Sequence, residues 1–491
     1  MRPVAFVCLA LAREPGFPVR MSTVARVLSI AVLLASAAAA EAAVYSPRVL
    51  SPHVADRYSM KTFAQFQRRD LSGNSKVVKL ELAVPRGARV AEANRGAARV
   101  PAQAGPPHND KAPIELEEFF APPEKYRSDF GDFRSPLLFD DGTPVRTPED
   151  WQRRRAEVLS TWHGIMGSWP PLIEKPRVEV VNTTRRENIT QQQLRIEIAV
   201  GGEMVDALLF APDGGVHASK RLAPKRPAVL VVYYDAETGA GLGAPSRDYG
   251  WQLARRGFVT LSIGKPNAQI DLTNTNKPRS EPYLGPAGKP VRVQPLSALA
   301  YAAANAHTVL AQRPEVRPDR IGIVGHSFGG KWAMFASCLY DKFACAVWSD
   351  PGIVFDERDR RKQNSSGSVN YWDVWYLGFE LGIVADPKSA GPFRKLPTAG
   401  QPRAGAYRAL VEGGHDLVEL HALMAPRPFL VSGGTADLPE RWPALNHAIA
   451  VNKLLGYDHR VAMTTRDGHT PTEEANEQVY GFFEWWLKDR E

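Results

Sequence analysis

Cysteine is scarce in this chain: three in 491 residues, one of which, Cys8, lies among the first twenty. Cys338 and Cys345 cannot make a thiolate metal site alone, and the histidines show no H-E-x-x-H or comparable ligand spacing. An exported protein could bridge the two cysteines, but the plainer reading is two small buried residues. No glycine-rich phosphate cradle is present, so neither a metal nor a cofactor is expected. Charge of one sign is also missing as a block. The net +8 comes from 61 Lys and Arg dispersed among 53 Asp and Glu. A dispersed excess of that kind describes a solvated surface, and no nucleic-acid partner is expected.

Long apolar runs are absent as well. Near the N-terminus the run at 27–37 is too short for a bilayer span, which needs about 20 residues. Arg26 precedes it, and small residues follow with A-x-A sites near Ala40 and Ala43. Residues 1–43 therefore read as an upstream extension and signal peptide, with the true start at Met21, and the mature chain is expected to be exported, periplasmic or secreted, without a stable membrane span. Residues 44–131, rich in Ala, Pro, Arg and Gly, read as a low-order leader in which SMKTFAQFQRRDL could form a short amphipathic helix.

From residue 132 onward the texture is that of a folded domain. Thr147 is a candidate N-cap, with Pro148 at the first helical position and Glu149 and Asp150 in the first turn. Alternating runs at 177–184 and 194–213 predict an antiparallel meander. Beyond Arg226, near-continuous apolar strands (AVLVVYY, FVTLSIG, RIGIVG, ACAVWS, RPFLVSG, HRVAMTT) alternate with helices. That alternation predicts an α/β fold with a mostly parallel central sheet covered by helices on both faces. The stretch at about 351–426 is too long for a connection and reads as an inserted cap.

Chemistry concentrates at Gly325-His326-Ser327-Phe328-Gly329, a G-x-S-x-G match. Chance alone supplies one such match in roughly one chain in six of this length. Here it follows an apolar strand and opens a helix, the setting of a nucleophile elbow. A serine hydroxyl is a weak nucleophile and needs a base, and the base needs an acid to fix its tautomer. His469, in the loop after the last strand, is the expected base. Asp437, after the strand RPFLVSG, is the expected acid, and Asp350, ending ACAVWS, is the alternative. The Phe328 amide and one from the loop near Asp235 should form the oxyanion hole. His326 should pack beneath the site, with His415 and His421 in the insert or its exit helix. The insert's aromatic cluster, including Tyr371, Trp372, Trp375 and Tyr376, is either cap core or a platform for a sugar or aromatic acyl group.

The phrases RPEVRPDRIGIVGHSFGGKWA, HALMAPRPFLVSGGTAD and DGHTPTEEANEQVYGFF resemble the dienelactone hydrolase and acetylxylan esterase branch of the α/β hydrolases, and bacterial glucuronoyl esterases. The resemblance covers roughly Leu137 to the C-terminus. It implies the α/β-hydrolase fold, no cofactor, and an exported serine esterase acting on carbohydrate-linked or small acyl esters. In glucuronoyl esterases an arginine follows the nucleophile and a lysine shortly after contacts the sugar. Lys331 matches the lysine, whereas the arginine position holds Phe328. The rival readings are a serine peptidase of the prolyl oligopeptidase kind and a catalytically silent glycan-binding protein.

Overall fold

A computed structural model describes residues 63–69, 75–81, 114–213, 224–266, 283–285, 288–357, 369–384 and 396–488. The signal-peptide expectation lies outside the described residues. The chain divides into two compact units, Met1–Gly96 and Ala97–Glu491. In the first, β1 (Phe63–Arg69) and β2 (Ser75–Glu81) form an antiparallel hairpin with Phe63 opposite Glu81. The helix expected across this segment is therefore a strand. Its period-2 run FAQFQRR pairs with SKVVKLE, and hydrogen bonds across the hairpin override the weak helical spacing.

The second unit is built on a nine-stranded sheet. Its strands are β3 (Val178–Arg186), β4 (Ile189–Ala199), β5 (Glu203–Pro212), β6 (Arg226–Val232), β7 (Val259–Ile263), β8 (Val316–His326), β9 (Cys345–Ser349), β10 (Phe429–Gly433) and β11 (Val461–Thr465). They lie in the order β11-β10-β9-β8-β6-β7-β5-β4-β3. The meander β3-β4-β5 joins β7 antiparallel, and every pairing from β7 through β6 and β8 to β11 is parallel.

Helices cover both faces. They are α1 (Pro148–Met166), α2 (Tyr249–Arg255), α3 (Pro295–Ala311), α4 (Phe328–Leu339), α5 (Gly405–Glu412), α6 (Leu417–Ala422), α7 (Trp442–Leu454) and α8 (Glu473–Leu487). Side chains of a strand alternate between faces, so β6 sends Leu230 and Val232 to the larger core and Val229 and Val231 to the smaller. The larger core holds residues of α1, α3, α4, α6 and α7, and the smaller those of α2 and α8. Thr147 caps α1 as expected: its hydroxyl accepts from the Asp150 amide while the Asp150 carboxylate accepts from the Thr147 amide.

The folded unit starts earlier than residue 132. Leu116 and Phe120 are buried, and Phe120 stacks on Phe482 of α8 with ring centres 6.4 Å apart. Composition alone hid these anchors, because they follow the stretch at 85–107, in which Ala, Pro, Arg and Gly dominate. Cys338 and Cys345 are both buried free thiols.

The chain crosses from β6 to β7 on one side and then to β8 on the other. The strand order reverses there, and a crevice outside the carboxyl ends of the strands is expected at such a point. β8 ends at His326, one residue short of Ser327.

Candidate active site

Ser327 occupies a sharp corner between β8 and α4, with φ 57° and ψ −110°. The left-handed φ is uncommon for a residue with a side chain, and the flanking glycines make it affordable. A Cβ on Gly325 would lie 2.2 Å from the Gly329 carbonyl oxygen, and one on Gly329 would lie 2.1 Å from that of Val232. Strand and helix therefore approach as closely as they do only because both positions lack side chains. The Ser327 amide donates to the Ser349 carbonyl (2.8 Å), tying the corner to the end of β9.

His469 follows β11, and its Nε2 lies 2.8 Å from Ser327 Oγ. On the other side its Nδ1 lies 2.5 Å from Asp350 Oδ2. Asp350 is fully buried and continues directly from β9, with φ 49°. Its Oδ1 accepts from the amides of Gly434 (2.8 Å), Ala436 (3.0 Å) and Asp437 (3.0 Å), which leaves Oδ2 for the histidine. The expectation that Asp437 holds the histidine is corrected here. Its two oxygens accept from Gly352 and Ile353, each at 2.7 Å, so it braces the turn after Asp350. Burial, and then the nearby Asp350 carboxylate, push its carboxyl above the usual range.

Arg466, three residues before His469, went unremarked in the sequence. It donates to the carbonyls of Ser432 (2.8 Å) and His469 (2.9 Å) and thereby ties the histidine loop to β10. The RDGH spacing was the available signal. His326 is fully buried, with its Nδ1 3.1 Å from Ser349 Oγ and its ring 4.7 Å from that of His469. Burial, followed by the neighbouring His469, draws it well below the usual histidine range.

Phe328 opens α4. The first amides of a helix have no partner within it, so the Phe328 N–H is free of the helical ladder. Across from it the Asp235 carboxylate accepts from the Thr238 amide (2.8 Å) and caps the short helix Ala236–Gly239. Tyr234 stacks on the Phe328 ring at 4.3 Å, and the Trp375 ring meets Phe328 edge-on at 5.9 Å.

The other expected binding residues are more deeply placed. Lys331 is fully buried: its ammonium donates to the Pro351 carbonyl and lies 4.1 Å from the Tyr371 ring centre and 5.2 Å from that of Tyr376. Burial draws its pKa down, against the opposing pull of Asp437 and Asp350. It braces the same turn as Asp437, and it offers no exposed group to a sugar. Trp372, Trp375 and Tyr376 are buried too, so the aromatic cluster is a packed core with Trp375 and Tyr376 beside Phe328. No group of three or more metal-ligating side chains occurs among the described residues.

The architecture and the elbow define an α/β-hydrolase fold. The chain's similarities run to proteins named as ester and thioester hydrolases. The C-terminal domain model of BAAT and acyl-CoA thioester hydrolases matches residues 299–371, from within α3 through the elbow and past Asp350. The 4-O-methyl-glucuronoyl methylesterase of Schizophyllum commune is 23% identical over 239 residues, 48% of this chain and 53% of that protein. Its counterpart from Phanerochaete carnosa is 25% identical over 240 residues, with the same coverage. The chain thus spans about half the length of the curated relatives it matches. A solved glucuronoyl esterase from Solibacter usitatus superposes with a TM-score of 0.50 at 16% identity, covering 72% of this chain and 98% of that one.

Proposed function

We propose that the protein is an exported serine esterase that cleaves carbohydrate-linked or small acyl esters, with Ser327 as nucleophile, His469 as base and Asp350 as the acid that orients it. The observation that carries this reading is the continuous relay from Asp350 Oδ2 through His469 to Ser327 Oγ, with the serine on a strained corner above the parallel strands. His469 Nε2 takes the hydroxyl proton as Oγ attacks the ester carbonyl, and the Phe328 amide, with a second donor from the loop around Asp235, stabilises the oxyanion. The proton then passes to the departing alkoxide, leaving an acyl-Ser327. Water attacks that acyl group by the same route in reverse and releases the acid.

A carbohydrate ester is favoured by the similarity to glucuronoyl esterases. The breadth towards small acyl esters rests on two differences in the site: Phe328 stands directly after the nucleophile, and Lys331 is occupied beneath it. Hydrolysis of nitrophenyl acyl esters, acetylated xylan and a methyl glucuronate ester, compared between the protein and Ser327→Ala, tests the reading. Turnover is expected on at least one ester and should vanish in the variant; residual serine-independent turnover would sink the mechanism. Export rests on the apolar run and the A-x-A sites. The mass of the chain recovered from outside the cytoplasm should correspond to cleavage near Ala40 or Ala43.

A further inference from the structure

At the amino edge of the sheet, opposite the edge that carries Ser327, a cavity of about 340 Å³ lies between the segment at 120–130, α7 and the turn leading into β11. Phe120, Phe130, Ile449 and Tyr457 give it apolar and aromatic walls. Arg460 lies on its lining and is only 3% exposed. The guanidinium sits 4.8 Å from the Tyr457 ring centre and 4.7 Å from that of Trp486. No carboxylate or hydrogen-bond acceptor among the described residues meets it, and its Nε is buried without a partner. Burial draws Arg460 down to about 10.

A buried cation without an anion is costly, and native structures rarely keep one for stability alone. Two neighbours share the feature. His459 Nδ1 and Asn452 Oδ1 are likewise buried without partners, and His459 holds a left-handed φ of 54°. Lys453 stands exposed on the rim with no ion pair among the described residues, while Asp458, also on the lining, pairs with neither cation. Positive charge within aromatic walls, in a volume at the small end of ligand pockets, matches an anion with a flat apolar body. A carboxylate offers the two parallel acceptors that a guanidinium fork prefers.

We propose that this cavity is a second binding site, remote from the triad, for a small aromatic carboxylate held by Arg460 and Lys453. The probe is trans-cinnamate, titrated calorimetrically into the full-length chain beside cinnamyl alcohol, which lacks the charge, and inorganic phosphate, which lacks the ring. Cinnamate should bind more tightly than either. Arg460→Met should weaken it by at least about tenfold. Lys453→Gln, on the open rim where folding is not at stake, should weaken it several-fold. Neither change should alter ester turnover, because both residues lie at the far edge of the sheet from Ser327.

Three results would overturn the proposal: no cinnamate binding at millimolar concentration, equal affinity for cinnamate and cinnamyl alcohol, or binding that competes with ester substrates and is indifferent to both substitutions. The last would put the carboxylate at the triad. Failure of the esterase reading would leave these titrations unchanged, so the two proposals fail separately.

Discussion

Asp350 and Asp437 show how two buried carboxylates of one composition take different work from their donors. Three amides saturate one oxygen of Asp350 and leave the other to His469, whereas Asp437 spends both oxygens on Gly352 and Ile353. Asp350→Asn should lower kcat by about 10³- to 10⁴-fold, since the amide favours the wrong histidine tautomer. Asp437→Asn should instead cost about 1–3 kcal/mol of stability, because one amide loses its acceptor, while kcat stays within about tenfold. Steady-state kinetics and urea denaturation of both variants check this, and equal loss of kcat in the two would return the acid's role to Asp437. That Ser327 and His469 meet was legible, because each follows a strand that its sequence announces, Ser327 by one residue and His469 by four. The acid was not, because both aspartates follow neighbouring parallel strands, and only the bend of each loop decides which carboxylate turns towards β11.

Among the elements, the parallel strands and α1 could be read from apolar periodicity and the Thr147 cap. The hairpin β1-β2 and the anchors Leu116 and Phe120 could not, since pairing and distant packing decide them. The same limit hid the depth of Lys331: a lysine that matches a motif looks identical in sequence whether it points into a cleft or beneath one. The elbow makes a sharper demand. Gly329→Ala would drive a methyl group into the Val232 carbonyl, a backbone atom that cannot swing aside. It should destabilise the protein by at least about 1–3 kcal/mol and lower the soluble yield. A second demand falls where α1 meets α6. Arg154 and Glu419 are both buried and lie 3.1 Å apart, and Glu419 also accepts from Trp162 Nε1 and lies 2.7 Å from His415 Nδ1. Glu419→Ala should cost about 1–3 kcal/mol, because Trp162 Nε1 and one guanidinium nitrogen of Arg154 would lose their buried acceptor while Arg154 keeps Asp140 and Glu157; a urea midpoint close to that of the unmodified protein would contradict that account.

At the scale of the whole molecule, two buried histidines weaken the fold in acid, against the opposite pull of the buried Asp416 and Asp437 carboxyls, which burial pushes up. Burial draws His307 from 6.5 down to about 4, and burial followed by His447 draws His421 down to about 3. The unfolded chain takes up these protons near pH 6.5, whereas the folded chain does so only near pH 4 and pH 3. Stability fully present above pH 6.5 therefore drains away as the pH falls towards 3. His421, packed beside the stacked rings of Trp348 and Phe429 with neither ring nitrogen partnered, is the clearer case. His421→Phe should flatten the fall of Tm between pH 7 and pH 4, and an unchanged slope would mean that another group carries it. No described helix is long and apolar enough to cross a membrane. The register of β8 against β9 places His326 opposite Ser349, so the residues that follow, Ser327 and Asp350, emerge side by side from paired strands. Their spacing is thus a property of the sheet, and only His469 arrives on a loop. Heat should end the proposed ester turnover in two stages: reversible loss as the Arg466 clamp loosens, then melting of the sheet several degrees higher, with the interval between them measuring how firmly one arginine holds one histidine.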